Sequence, residues 1–184
     1  MERGYIKKAI ECIILISEKP VSVKSLLQVF PDLHKEALNE LLAELMDEWN
    51  GLDRGFRLYE VACGYQFRTS SQYSDFIIRF RQSKPFRLSR AALEVLAIIA
   101  YRQPITRIEI EQIRGVDSSG VINLLLEKRL ITIRGRKEVP GRPFMYGTTQ
   151  EFLETFGLKG LTDLPTLKEL DEIEKSIQLA DKVE

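Results

Sequence analysis

The chain has 184 residues, of which 44% are hydrophobic, and its formal charge is zero. That is enough apolar material for one large or two small cores. It lacks the ~18-residue apolar run of a membrane span and the net positive charge of a dedicated nucleic-acid binder. Charge is uneven, with residues 1–84 balanced, 85–158 mildly basic and the stretch from 159 onward acidic.

The N-terminal stretch MERGYIKKAIECIILISEKP has charges followed by apolar residues, as a signal peptide does. Glu11 interrupts it, and the apolar positions repeat at helical spacing, so a structural helix is expected. Ile6, Ala9, Ile10, Ile13, Ile14 and Ile16 would share its inner face, opposite Lys7, Lys8 and Glu11. Proline cannot continue a helix, so Pro20 ends this one, and Ser22 caps the next. A turn with Asp32 as acidic cap leads to a third helix, with Leu38, Leu41, Leu42, Leu45 and Trp49 inward and Glu36, Glu40, Glu44 and Asp47 outward. FRLYEVACGYQFRT (56–69) alternates as a hairpin turning near Gly64. Cys12 and Cys63 have apolar neighbours, which suits buried thiols in a reducing compartment and leaves a disulfide between them open.

A basic stretch, FIIRFRQSKPFRLSR (76–90), precedes a second round of the same plan. AIECIILISEKPVS (9–22) is echoed by ALEVLAIIAYRQPIT (92–106). Thr106 and Glu109 form a capping box, Asp117 is an acidic cap, and the next helix would face outward through Ser118, Asn123 and Glu127. LITIRGRKEVPGRPFMYGTT (130–149) gives two strands around a Gly/Pro-rich excursion. Three helices followed by a hairpin, twice over, predict an α+β, mostly helical chain of two tandem winged-helix domains. The expected division is residues 1–82, a basic linker over 83–89, a second domain over 90–158 and an acidic tail over 159–184. In that tail a helix led by Pro165 would place Leu167, Leu170, Ile173 and Ile177 on one side.

Neither third helix offers a base-reading surface, because the first is acidic and would repel phosphate. The basic groups Arg79, Arg81, Lys84, Arg87, Arg90, Arg136 and Lys137 are either a solvated linker and charged loop or a sequence-blind contact to a nucleic-acid backbone. One histidine, His34, and two distant cysteines do not supply an ordinary zinc site. Phosphate-loop and dinucleotide fingerprints are missing. No catalytic activity, metal or cofactor is expected.

The helix over 91–101 is apolar nearly all round, with Glu94 as its one acidic group. Leu93, Leu96, Ala97 and Ala100 line one side, and Val95, Ile98 and Ile99 lie across the other. Either the wing and the other domain cover the surplus or another polypeptide does.

LEVLAIIAYRQPITRIEIEQIRGV (93–116), GRPFMYGTT and FLETFGLKGLTDLP closely resemble the segregation and condensation protein B family, ScpB, most strongly over residues 88–166. The resemblance implies a non-catalytic, cytoplasmic, nucleoid-associated subunit acting in chromosome condensation and partition during cell division. It further implies a homodimer formed mainly through the first domain, which binds the kleisin ScpA and reaches SMC through it. Candidate kleisin contacts are Val95, Ile98, Ile99 and Tyr101, with Arg142 and Tyr146 as polar anchors. Candidate dimer contacts are Leu15, Phe56, Tyr59, Tyr65 and Phe67. The competing expectation is a winged-helix transcription regulator.

Overall fold

The structure is a computed structural model, and it describes residues 2–82, 87–166 and 169. It is α+β, with helices packed around one two-stranded and one three-stranded sheet. Lys84 and the tail positions Leu167, Leu170, Ile173 and Ile177 lie outside the described residues.

Helix α1 (Arg3–Ile16) buries Ile6, Ile10 and Ile14, at i, i+4 and i+8 on one stripe. Ile16, expected on that face, is 80% exposed. It closes the helix at the edge of the stripe, beyond the last turn that meets the core. Ser22 caps α2 (Val23–Val29) by accepting from the Ser25 amide, as the sequence predicts. Helix α3 (Lys35–Asn50) buries Leu38, Leu41, Leu42 and Leu45. His34, not Asp32, precedes its first turn, and no side chain caps it. The outward acids of α3 are partly engaged by α1: Arg3 meets Glu44 and Lys7 meets Glu48, each at 2.5 Å.

Strands β1 (Phe56–Val61) and β2 (Gly64–Thr69) form the predicted hairpin. Its two-residue turn, Ala62–Cys63, has both φ angles positive (50° and 56°), the twist that suits a tight hairpin but is normally left to Asn and Gly. Gly64 is required beside it, because a Cβ there would lie 2.9 Å from the Val21 carbonyl oxygen. Helix α4 (Ser74–Arg81) then occupies the first half of the basic stretch that the sequence suggested as linker and solvated surface.

The second round repeats the first in detail. Ser89 caps α5 (Arg90–Arg102), and a short β3 (Ile105–Thr106) pairs with a later strand, Phe144–Thr148, at Ile105↔Tyr146. In the first round Val21 bridges Tyr65 in the equivalent place, so each proline-terminated helix is followed by a residue added to the hairpin's second strand. Helices α6 (Arg107–Arg114) and α7 (Ser119–Glu127) lead to β4 (Ile131–Arg136) and β5 (Phe144–Thr148). Glu94, on α5, pairs with Arg114, which also donates to Ser118 Oγ at 2.8 Å. Ser118 is therefore 1% exposed rather than outward, while Asn123 and Glu127 do face solvent. Helix α8 (Gln150–Phe156) is capped by Thr149.

Two apolar cores result. The first gathers α1, α2, α3 and Leu58, and the second gathers α5 to α8, β3, β4 and Tyr146. Val61 and Ala62 at the first hairpin's tip belong to the second core. Ala62 N donates to Leu158 O at 2.7 Å, Cys63 N donates to Lys159 O at 2.9 Å, and Gln150 Nε2 donates to Ala62 O. Arg68 adds a 2.7 Å bond to Glu154 O, and Lys159 pairs with Glu60 at 3.1 Å. The chain from Leu158 to Leu164 still packs on the second core, within the stretch expected to begin the tail.

Both cysteines are free and exposed, contrary to the expectation of buried thiols. Cys12 lies off the buried stripe of α1, and Cys63 sits at the hairpin tip with its Sγ toward Lys159 O. Apolar neighbours in sequence are not neighbours on one face of a helix.

Candidate partner-binding groove

Helix α5 is apolar on two sides, and the fold seals one of them. Val95 and Ile99 are 0% exposed and pack in the second core, together with Leu96 and Ala100. These two residues were candidates for a partner surface, and they present none. Ile98 is partly buried against the same core. The side left toward solvent carries Leu93 and Ala97, together with Tyr101, one of the candidate partner residues. The reason is rotational: both sides of the α5 wheel are greasy, α7 packs against α5, and Val95 and Ile99 share a core with its Ile122 and Leu125.

The free side is one wall of a groove of about 370 Å³. Phe152, Phe156 and Leu158 form the opposite wall, and Leu164 and Pro165 close one end. Leu93, Tyr101 and Phe156 keep 45%, 46% and 44% of their surface exposed, so a strip of contiguous apolar surface remains in water. Tyr101 Oη donates to Pro165 O at 2.7 Å, which fixes its ring along the groove. Phe152 and Phe156 pair at 5.0 Å, one helical turn apart on α8. Of the candidate partner residues, Tyr101 alone lines the groove. The i,i+4 phenylalanines of FLETF were the signal for the second wall.

Arg142 and Tyr146 lie elsewhere. Arg142 sits in the excursion between β4 and β5 with a positive φ of 39°, and its carbonyl accepts from Arg136. Tyr146 is a 9%-exposed member of the second core, bordering a small hollow with Arg107, Ile108 and Phe144. Both belong to the β4–β5 hairpin and its connection.

The proposed dimer residues divide in the same way. Phe56 and Phe67 pack with Trp49 at 5.2 and 4.9 Å, and Tyr65 packs on the first core. Burial and the nearby Glu60 push the Tyr65 phenol upward from its usual range. Leu15 and Tyr59 remain exposed.

The basic groups do not form a single free set. Arg90 pairs with Glu94 at 3.5 Å, and Arg136 stacks on Phe144 with its guanidinium 4.0 Å from the ring centre. Arg87 is exposed, and Arg79 and Arg81 sit on α4. Lys137 is held by Glu109 at 2.6 Å. Glu109 also accepts from Thr106 N and Oγ1 at 2.8 and 2.7 Å, completing the predicted capping box.

The Lys137 ammonium, then the Thr106 hydroxyl and amide, hold the Glu109 carboxyl down at about 2. A depressed carboxylate stabilises the fold above its unfolded value, and the contribution is lost as pH falls through the folded one. The wild type is therefore expected to lose it between about pH 4.5 and about pH 2. Glu109→Gln should lower stability at pH 7 by about 1 kcal/mol, the worth of a cap with a screened ion pair. Its acid limb should be flatter in urea titrations at stepped pH, and an unchanged limb would remove Glu109 from this role.

Among the described residues no group of three or more His, Cys, Asp and Glu is placed to hold a metal ion. None of the described helices is long and apolar enough to cross a membrane.

The model of the family described as segregation and condensation complex subunit ScpB matches residues 8–167. The segregation and condensation protein B of Syntrophotalea carbinolica is 50% identical, over 95% of this chain and 88% of that one. That of Alkaliphilus metalliredigens is 42% identical, over 94% and 90%. Among solved structures, ScpB from Mycobacterium tuberculosis is 30% identical over 86% of this chain and 98% of that one, with a TM-score of 0.41. A conserved hypothetical protein from Chlorobium tepidum is 37% identical over 85% and 98%, with a TM-score of 0.38. The relatives are named as segregation and condensation subunits, not as enzymes. With a family match over most of its length and half of its residues shared with such a relative, the chain belongs to the ScpB family of segregation and condensation complex subunits.

Proposed function

We propose that the chain is the non-catalytic subunit of a condensin-like complex, two tandem winged-helix modules that bind the kleisin ScpA and reach SMC through it. In this reading it acts in the cytoplasm on the nucleoid, as a homodimer joined through the first module, and touches DNA weakly or indirectly. The repeated order of three helices, an added strand residue and a hairpin supports the winged-helix plan. Engagement of Lys137, Arg90 and Arg136 within the chain, and the acids along α3, speak against a base-reading regulator.

The observation that carries the kleisin reading is the exposed apolar groove of Leu93, Tyr101 and Phe156. An amphipathic kleisin segment laid along it would bury these groups in the helix-in-groove manner. Each buried side chain supplies about 1.5–3 kcal/mol before the costs of association. Leu93→Asp should weaken binding of a ScpA fragment at least about tenfold in calorimetry while the unfolding midpoint stays put. Unchanged affinity would move the kleisin to another surface, and no binding by the wild type would end the kleisin reading altogether.

A further inference from the structure

One end of the groove between α5 and α8 is made by the chain that is about to leave the second core. Leu164 and Pro165 close it, and Tyr101 Oη holds the Pro165 carbonyl at 2.7 Å, so the main chain is fixed at the rim. A helix starts at the next residue. Thr166 N donates to the Glu169 carboxylate at 2.6 Å, and Glu169 N donates to Thr166 Oγ1 at 3.3 Å. These are the two reciprocal bonds of a capping box, which fixes where a helix begins, and here it begins against apolar surface.

The sequence that follows suits that place. Leu167, Leu170, Ile173 and Ile177 recur at helical spacing, and from the first to the last a helix would rise about 15 Å. The open side of α5 from Tyr101 to Leu93 covers about 12 Å. Tyr101 stands at the Pro165 end, so a helix entering there and running toward Leu93 is antiparallel to α5. Its acids Asp171, Glu172 and Glu174 then arrive at the start of α5, where Arg87 and Arg90 are exposed. Point of entry, apolar length and charge agree on one direction. A short helix alone is marginal in water and takes its order from the face it covers. Because this segment is joined to the rim, its effective concentration at the groove is about millimolar or higher, so contacts too weak to hold a free peptide still fill the site.

We propose that residues 167–184 occupy the groove in the uncomplexed chain, as an amphipathic helix led from Thr166 that lays Leu167, Leu170 and Ile173 on Leu93, Tyr101 and Phe156, and that this helix is displaced before another segment enters. The displacement rests on the reading that the groove takes a kleisin segment; the docking does not. A groove closed about nine-tenths of the time binds a competitor about tenfold more weakly than an open one.

Hydrogen–deuterium exchange of the full chain, with no partner present, tests the docking. Amides over 168–177 should be protected in the wild type. Leu170→Asp in the tail and Leu93→Asp in the groove should each speed their exchange at least about tenfold. The second variant excludes a merely weaker helix, because its side chain lies outside the tail. No protection in the wild type, or protection that Leu93→Asp leaves intact, overturns the docking. Protection that rises with protein concentration gives the groove to the tail of another copy and overturns the contact within one chain. Calorimetry with a ScpA fragment tests the displacement: Leu170→Asp should bind it up to about tenfold more tightly than wild type. Equal affinity beside a protected tail overturns the competition alone. Binding by neither protein ends the kleisin reading and the displacement with it, and the exchange result by itself decides the docking.

Discussion

Replacing Ile99 with alanine is expected to lower the unfolding free energy by about 2–5 kcal/mol, the usual range for emptying a filled core site. Ile99 is 0% exposed and belongs to the core that includes Leu96, Ile110, Ile122, Leu125 and Phe152. Removing most of its side chain leaves a hole that α5 and α7 cannot both close, because each is tied elsewhere. Gln103, at the end of α5, accepts from Thr148 N at 2.8 Å, and Ser118, at the start of α7, accepts from Arg114 of α6 at 2.8 Å. Against Ile99→Ala stands Leu93→Asp, two turns away on the open side, which should leave the fold intact. Urea unfolding of the two variants separates core from contact surface on one helix. A loss below about 1 kcal/mol for Ile99→Ala would mean that this face is not packed as described.

The second large effect concerns the hairpin tip. Ala62 is 3% exposed, has a φ of 50° and is wedged in the second core, with its main chain bonded to Gln150 and Leu158. Ala62→Ile should fail on two counts. A β-branched residue strains the left-handed backbone by about 1–2 kcal/mol, and the added carbons overfill the site by about 1–3 kcal/mol. The tip can escape both penalties by leaving its seat, so the expected outcome is loss of coupling between the two cores. Calorimetry should show one transition in the wild type and two in Ala62→Ile. Ala62→Gly relieves the backbone and loses one methyl, and should stay within about 1 kcal/mol of wild type. A single, unshifted transition in Ala62→Ile would show that the tip does not join the two cores.

Much of this architecture is legible in the amino acids because it is local. Ser22, Thr106 and Glu109 announce helix starts, since short polar side chains satisfy the free amides of a first turn. Pro20 and Pro104 announce helix ends, and the alternation of 56–69 announces a hairpin. Leu38, Leu41, Leu42 and Leu45 name their own core face because the opposite face of α3 is charged. The repeat is legible for the same reason, as two similar runs of local signals. The family is legible in long motifs such as FLETFGLKGLTDLP.

What escaped the sequence is whatever depends on which element arrives beside another. On α5 both flanks are apolar, so composition could not say that Val95 and Ile99 go inside while Leu93 stays out; the packing of the folded chain, α7 against α5 included, settles it. Cys12 and Cys63 sit among apolar residues in sequence yet face water, because a helix turns 100° per residue and a hairpin tip leads away from its own core. The seat of Ala62 in the other core has no local sign, since a small residue in a tight turn looks like any turn. Local hydrogen bonding and side-chain periodicity are encoded residue by residue. Choosing between two equally greasy faces is a matter of long-range packing, and it took the folded chain to make that choice.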